Sequence, residues 1–440
     1  MLRDAQGHVL SGAAPGAVAP YDAAVRSLSL MHGDPIAGFD VAIAAAPEFA
    51  MARIGKAWAL VLPNDPVTRA MARALTDTIR PLKLNVREAA HLFALDEAVR
   101  GARGAAVTLL ERHLMAYPRD LLAHTVAVML DVYLGRLPRV RVRSGRALPF
   151  WASAMDGYGF ILAFHAFGLE ESGDYARAED ESRLAAELEP LGFFPHHTVT
   201  HVMEMTGRPE DGLGRMAARE ALWASPEHGY QLHLWWHRAL FHIELGQNDA
   251  ALAICDGPAM RTQRRLASHL ANTTSLLWRL HAMGCDAGVR WRELAALWEG
   301  HSDNTAVPFT DIHAAMAELA SGQENRCEQR LAAMRELAAG DSEMSHPYRT
   351  VVIPIVEALS AFHQGSYVQA AERLLPVRAD LWQMGGSQAQ RDVIEWTLIE
   401  STTRGGMRDV ALALAYERLA SRPRSIPNRH WLQAASALLQ

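Results

Sequence analysis

No stretch of this chain alternates β-branched and polar residues long enough to argue for a strand. Its apolar positions recur instead in helical units joined by short glycine turns. The clearest unit is AFHAFGLEESGDYARAEDESRLAAELEP, residues 163–190. Gly168 lies in a first helix, Gly173 and Tyr175 around a turn, and Ala178 in a second helix that Pro190 ends. Gly168 and Ala178 are small enough to let two helices approach closely. Gly173 closes the first helix with a left-handed residue, and Pro190 stops the second because it lacks a backbone donor.

The same turn recurs at Gly207, 34 residues on, at Gly246 after a further 39, and again at Gly365 in SAFHQGSYVQAAERLL. Fainter copies occupy residues 31–47 and 100–118. The pattern predicts an all-α, tetratricopeptide-like solenoid of helical hairpins. It runs as one continuous array over residues 21–440, after a flexible segment at 1–20. Residues 138–149, 256–263 and 300–308 read as interruptions, which in solenoids gather on one face.

Of the 440 residues 50% are apolar, ample for a core, and the net charge of −6 implies no basic surface for nucleic acid or anionic membrane. The arginines of RLPRVRVRSGR, residues 136–146, read as a solvated connection. The odd trio Cys255, Cys285 and Cys327 has neither pairing nor zinc spacing and fits a reducing cytoplasm. Residues 1–20 hold no unbroken apolar core of signal-peptide length. The most apolar stretch, 121–135, is too short to span a bilayer and carries His124 and Asp131.

Candidate chemistry concentrates in histidines. His197, His201 and Glu204 form H-x3-H-x2-E, which puts all three on one helical face. His233 and His237 form a second H-x3-H, and the two pairs lie 36 residues apart. Both precede a turn glycine, so both fall on the first helix of a hairpin, the helix that lines the concave surface of such arrays. Facing helices pack about 8–10 Å apart, so imidazoles from both can share one ion. The reading takes these four histidines as ligands of a divalent metal (zinc, iron or manganese). Glu204 is general base or further ligand, and Asp311 and His313 assist catalysis. The competing reading leaves the histidines satisfying one another. His91, His113, His124 and His242 are assigned such ordinary roles. Met203, Met205 and Met216 read as core filler.

In GGSQAQRD, residues 385–392, Ser387 can cap a helix running through Val393 and Trp396, with Arg391 and Asp392 in a structural salt bridge. The functional alternative has Gln390, Arg391 and Asp392 reaching a ligand, with Arg391 suited to a carboxylate through its two-pronged donors. Trp236 walls the pocket, whereas Trp235 packs between hairpins. There is no phosphate loop, dinucleotide fingerprint, G-x-S-x-G elbow or H-E-x-x-H string.

The strings HTVTHVMEM (197–205), HLWWHRALFHIELG (233–246), FTDIHAAMA (309–317) and GGSQAQRD resemble the tetratricopeptide repeat protein 38 family, with fainter likeness in VRWREL (289–294) and near HGDPIAGF. The resemblance runs from Tyr21 onward and implies an all-helical solenoid; it implies no particular activity. Together these readings predict a solenoid curled around a cavity, acting on a small molecule by metal-dependent hydrolysis. The alternative is a non-catalytic groove for a peptide, a protein partner or a second copy of the chain.

Overall fold

The computed structural model describes residues 1–63, 65–262, 266–301 and 307–438. Among them the chain is helical throughout, with isolated bridges at Arg3–Val9 and His32–His228 in place of strands. No helix among the described residues is long and apolar enough to cross a membrane. The helices gather into two compact units. The first comprises Met1–Val199 with Ala221–Gln231, the second Thr200–Glu220 with Leu232–Gln440.

One turn builds both units. At Gly101, Gly135, Gly173, Gly207, Gly246, Gly284, Gly322, Gly365 and Gly406 the backbone is left-handed. In each case the glycine N–H bonds the carbonyl three residues back, and the next N–H bonds the carbonyl five residues before itself, as Gly246 to Ile243 and Gln247 to His242. This double bond satisfies carbonyls a helix end otherwise orphans, and glycine adopts the required φ without a Cβ penalty.

In the first unit the paired helices are Pro15–Leu30 with Pro35–Ala45, Ala50–Val61 with Pro66–Ile79, Val86–Arg100 with Arg103–Ala116, Leu121–Leu134 with Pro138–Ala147, and Tyr158–Glu170 with Tyr175–Leu188. Two expectations are corrected here. Residues 138–149 do not interrupt the array: Pro138–Ala147 is the second helix of the Gly135 hairpin. Its Arg143 is buried and binds Asp131 and, at 2.7 Å, Glu111. The segment escapes a periodicity argument because one arginine, Arg143, is buried with Val140, Ser144 and Ala147, so its inward face does not read as apolar. Gly168 does permit a close approach, but to the backbone of Arg141 on the preceding hairpin rather than to its own partner helix. Residues 1–20 include the Arg3–Val9 bridge, a buried Asp4 paired with Arg87 at 3.0 Å, and the start of the Pro15–Leu30 helix.

The second unit continues the pattern with Ala267–Ala282 and Arg290–Trp298, Pro308–Ala320 and Glu324–Ala339, Ile353–His363 and Tyr367–Leu374, then Gln388–Arg404, Arg408–Ser421 and Ile426–Ala437. Of the expected interruptions at 256–263 and 300–308, residues 263 and 302–306 lie outside the described residues. The unit's core is rich in indoles, with Trp236, Trp278, Trp298, Trp396 and Trp431 all buried. Helix Gln388–Arg404 packs on Ala267–Ala282, where the Trp278 indole donates to Thr397 at 3.0 Å. The last turns return to the earliest part of the unit. Gly207 lies against the Arg422 backbone, and Gly246 against Ile426.

Candidate metal site

Two helices bring the second-unit histidines together. Helix Phe193–Met205 presents His201 and Glu204, and helix Gln231–Glu244 presents His233 and His237. All four side chains are buried. One ring nitrogen from each of His201, His233 and His237 lies within 4.8 Å of the others. The His201 and His237 rings meet edge to face at 4.7 Å. His197 is one turn earlier on the same helix but belongs to the first unit, where its ring stacks on Phe193 at 4.5 Å.

Hydrogen bonds fix how the two rings of the second pair are turned. Asn272, on helix Ala267–Ala282, gives its amide N–H to the Ser268 carbonyl at 3.1 Å. Its amide oxygen therefore faces His233, whose Nδ1 lies 2.9 Å away and must donate. The Nδ1 of His237 is held by a Glu204 carboxylate oxygen at 2.8 Å. With both Nδ1 atoms committed, the Nε2 atoms of His233 and His237 point at each other across 3.2 Å. If both are lone pairs, a cation must lie between or beside them; otherwise His237 Nε2–H donates to His233 Nε2, which requires a protonated Glu204 to donate to His237 Nδ1. In a tetrahedral zinc site with N–Zn bonds of about 2.0 Å, neighbouring ligand nitrogens are about 3.3 Å apart. The spacing fits, and a carboxylate and an amide oxygen behind two imidazoles are the outer partners that metal-binding histidines commonly have.

The surroundings are charged as well as buried. Burial pushes the Glu204 carboxyl up to about 7, against the pull of Arg422, His201 and Arg279. Burial likewise drives His233 down to about 3, so this ring is a neutral lone-pair donor near neutral pH. Trp236 stacks on His233 at 5.1 Å and meets His237 edge-on at 4.6 Å. Trp235 is half-buried, with Arg238 over its ring.

The remaining candidates fall elsewhere. Asp311 and His313 both lie on helix Pro308–Ala320, not in a loop. Asp311 binds Arg330 at 3.2 Å and accepts from the Tyr348 hydroxyl. The oxygens that bond the imidazoles of the second pair are those of Asn272 and Glu204. His313 bonds the Phe309 carbonyl through Nδ1 at 2.6 Å. In GGSQAQRD the cap is real: Ser387 and Gln390 close a capping box, which occupies the Gln390 side chain. Arg391 donates to the Gly386 carbonyl. Asp392 is held by Arg418 at 2.7 Å and Arg422 at 3.0 Å; burial alone would raise its pKa, but these guanidiniums keep it well below the carboxylate range. Arg391, Asp392, Arg418, Arg422 and Met205 line an open cavity of about 410 Å³.

Asn272 was not among the sequence candidates. Its hairpin does carry a signal: Gly284 follows Gly246 by 38 residues, and Asn272 precedes Gly284 by 12 much as His233 precedes Gly246 by 13. His313 and His237 each stand nine residues before their turn glycines, Gly322 and Gly246.

A second trio, His91, His113 and Asp120 in the first unit, also has ligand-like spacing. There the positive partner is already present. Arg87 binds the same Asp120 oxygen at 2.6 Å as the two imidazoles do at 2.9 and 2.8 Å. Asp120 also caps helix Leu121–Leu134, so this trio is a structural hub. No protein-family model matches the chain.

Proposed function

We propose that the second unit binds a divalent metal ion through His201, His233 and His237 and uses it on a small molecule. The observation that carries this reading is the 3.2 Å approach of two Nε2 atoms whose Nδ1 atoms are already taken by Asn272 and Glu204. Three imidazoles are the number of protein ligands typical of catalytic zinc sites. An ion so held lowers the pKa of its bound water to about 7, which makes hydrolysis the natural reaction class. Glu204 then serves as the partner that orients His237, so its carboxylate is not the first choice for general base.

The fold reading that accompanies this is a tetratricopeptide-like solenoid curled around a polar interior, as the resemblance to the tetratricopeptide repeat protein 38 family implies. Support comes from the nine repeated glycine turns and from the return of the last helices to Gly207 and Gly246 within the second unit. One geometric alternative concerns the positive particle itself. A proton carried from Glu204 through His237 to His233 would also reconcile the facing nitrogens. Measured zinc affinity decides between them. A metal site predicts tight, stoichiometric zinc that His237→Ala abolishes, followed by zinc-dependent turnover in a screen of small ester and amide substrates. A proton-bridged pair predicts neither.

A further inference from the structure

Arg279 is a buried cation with no carboxylate in salt-bridge contact. It is 1% exposed, and its guanidinium donates to the Ser275 carbonyl and hydroxyl and, at 2.8 Å, to the Ala389 carbonyl. The other buried arginines of this region differ. Arg418 and Arg422 bind Asp392, Arg422 also reaches Glu244 at 3.5 Å, and Arg330 binds Glu318 and Asp311. Asp392 and Glu204 act on it electrostatically from beyond contact. Removing a guanidinium from water with no counter-ion in contact is costly, and such charges persist where something anionic completes them. Burial lowers the Arg279 pKa to about 10, still far above neutrality, so the charge stays.

Its position links it to the histidines. The guanidinium lies over the Trp236 ring, 5.5 Å from the centroid, and the same indole touches His233 and His237. A second indole, Trp396, lies 5.9 Å away. Among the described residues, Trp236 Nε1 and His313 Nε2 are two of the buried side-chain polar atoms without a partner. Trp236 Nε1–H is a donor, and His313 Nε2 is left as an acceptor because Nδ1 serves the Phe309 carbonyl. Both side chains are fully buried. Helix Ala267–Ala282, which carries Arg279, packs on helix Pro308–Ala320, which carries His313. The Ala389 carbonyl that Arg279 engages lies between Gln388 and Arg391, both on the wall of the 410 Å³ cavity.

We propose that Arg279 anchors a carboxylate group of the small molecule on which the metal acts, with Trp236 Nε1–H and His313 Nε2 as its neutral recognition groups. The inference rests on the proposed metal site and names its substrate class. One indole contacts both ends, so the molecule that bridges them is only a few carbons long. A dication added among three guanidiniums (Arg279, Arg418, Arg422) and three carboxylates (Glu204, Glu244, Asp392) leaves the interior positive, which again favours an anion.

The test uses the full chain loaded with zinc, and as a control without it, with succinate, succinamide and inorganic phosphate as probes in thermal-shift and calorimetric titrations. Succinate is expected to raise the melting temperature and neutral succinamide to leave it unchanged. Arg279→Met is expected to weaken succinate binding at least tenfold while zinc content stays near that of the wild type. Arg279→Lys, which keeps the charge should the Met variant fold poorly, is expected to retain part of the binding. Succinate binding undiminished in both variants overturns the proposal, as does a wild type that binds phosphate but no carboxylate, or neither. Zinc content is read separately: a metal-free wild type contradicts the metal site, and its succinate binding, lost or kept in Arg279→Met, still supports or overturns the carboxylate anchor.

Discussion

His233 and His237 face each other through their Nε2 atoms at 3.2 Å, one turn apart on a single helix, each held from behind by an oxygen of another helix. The oxygens come from Asn272 and Glu204, so three separate helices fix the two facing nitrogens. Such an arrangement is pre-organised: the rings need no reorientation to receive an ion.

Removing the outer partner should therefore weaken metal binding without touching a ligand. Glu204→Ala is expected to lower zinc affinity about 10- to 100-fold. Glu204→Gln keeps an oxygen acceptor for His237 Nδ1–H and should fall only a few-fold. Competition with a chromophoric chelator measures both. Equal losses in the two variants would show that charge, not orientation, is what Glu204 supplies.

The first unit should be acid-labile. Burial lowers His91 and His124 to about 4 from an unfolded value near 6.5. The unfolded chain therefore binds more protons between these values, and stability present above pH about 6.5 is lost as pH falls toward 4. Melting temperatures recorded from pH 7.5 to 4.5 should decline steadily below pH about 6.5. A flat profile would count against buried neutral imidazoles.

Asp120 is the keystone of the first unit's polar hub. It accepts from Arg87, His91 and His113 and caps the helix that starts at Leu121. Asp120→Ala should cost about 3–5 kcal/mol, because it leaves Arg87 with Asp4 alone and takes the acceptor from two buried imidazoles and a helix end. Urea melts of the variant test this. A loss under 1 kcal/mol would mean that the hub is dispensable.

Two glycines separate steric need from backbone need. A Cβ at Gly168 would meet the Arg141 backbone nitrogen at 2.1 Å, whereas one at Gly173 meets nothing within 4 Å. Gly173→Ala should cost only the left-handed conformation, about 1–2 kcal/mol. Gly168→Ala must push two helices apart and should cost more. Chemical denaturation of both variants reads the order directly.

The turns and the histidines were legible because each follows a local rule: a glycine at a helix end, or two imidazoles one turn apart. Pro138–Ala147 was not, because beside Val140, Ser144 and Ala147 it buries Arg143 against Asp131 and Glu111, a pairing that no periodicity of apolar residues reveals. Asn272 and Arg279 were missed for a different reason. Each draws its role from partners 39 and 110 residues away, His233 and Ala389. Asp311 stood out by its neighbour His313, yet the fold commits it to Arg330 and Tyr348.

The most direct test of the central claim is elemental analysis of purified, tag-free protein beside His237→Ala. The account predicts about one equivalent of zinc, iron or manganese in the wild type and little in the variant, with the variant still helical. A wild type that carries no metal, and whose stability added zinc, iron or manganese does not change, would contradict it.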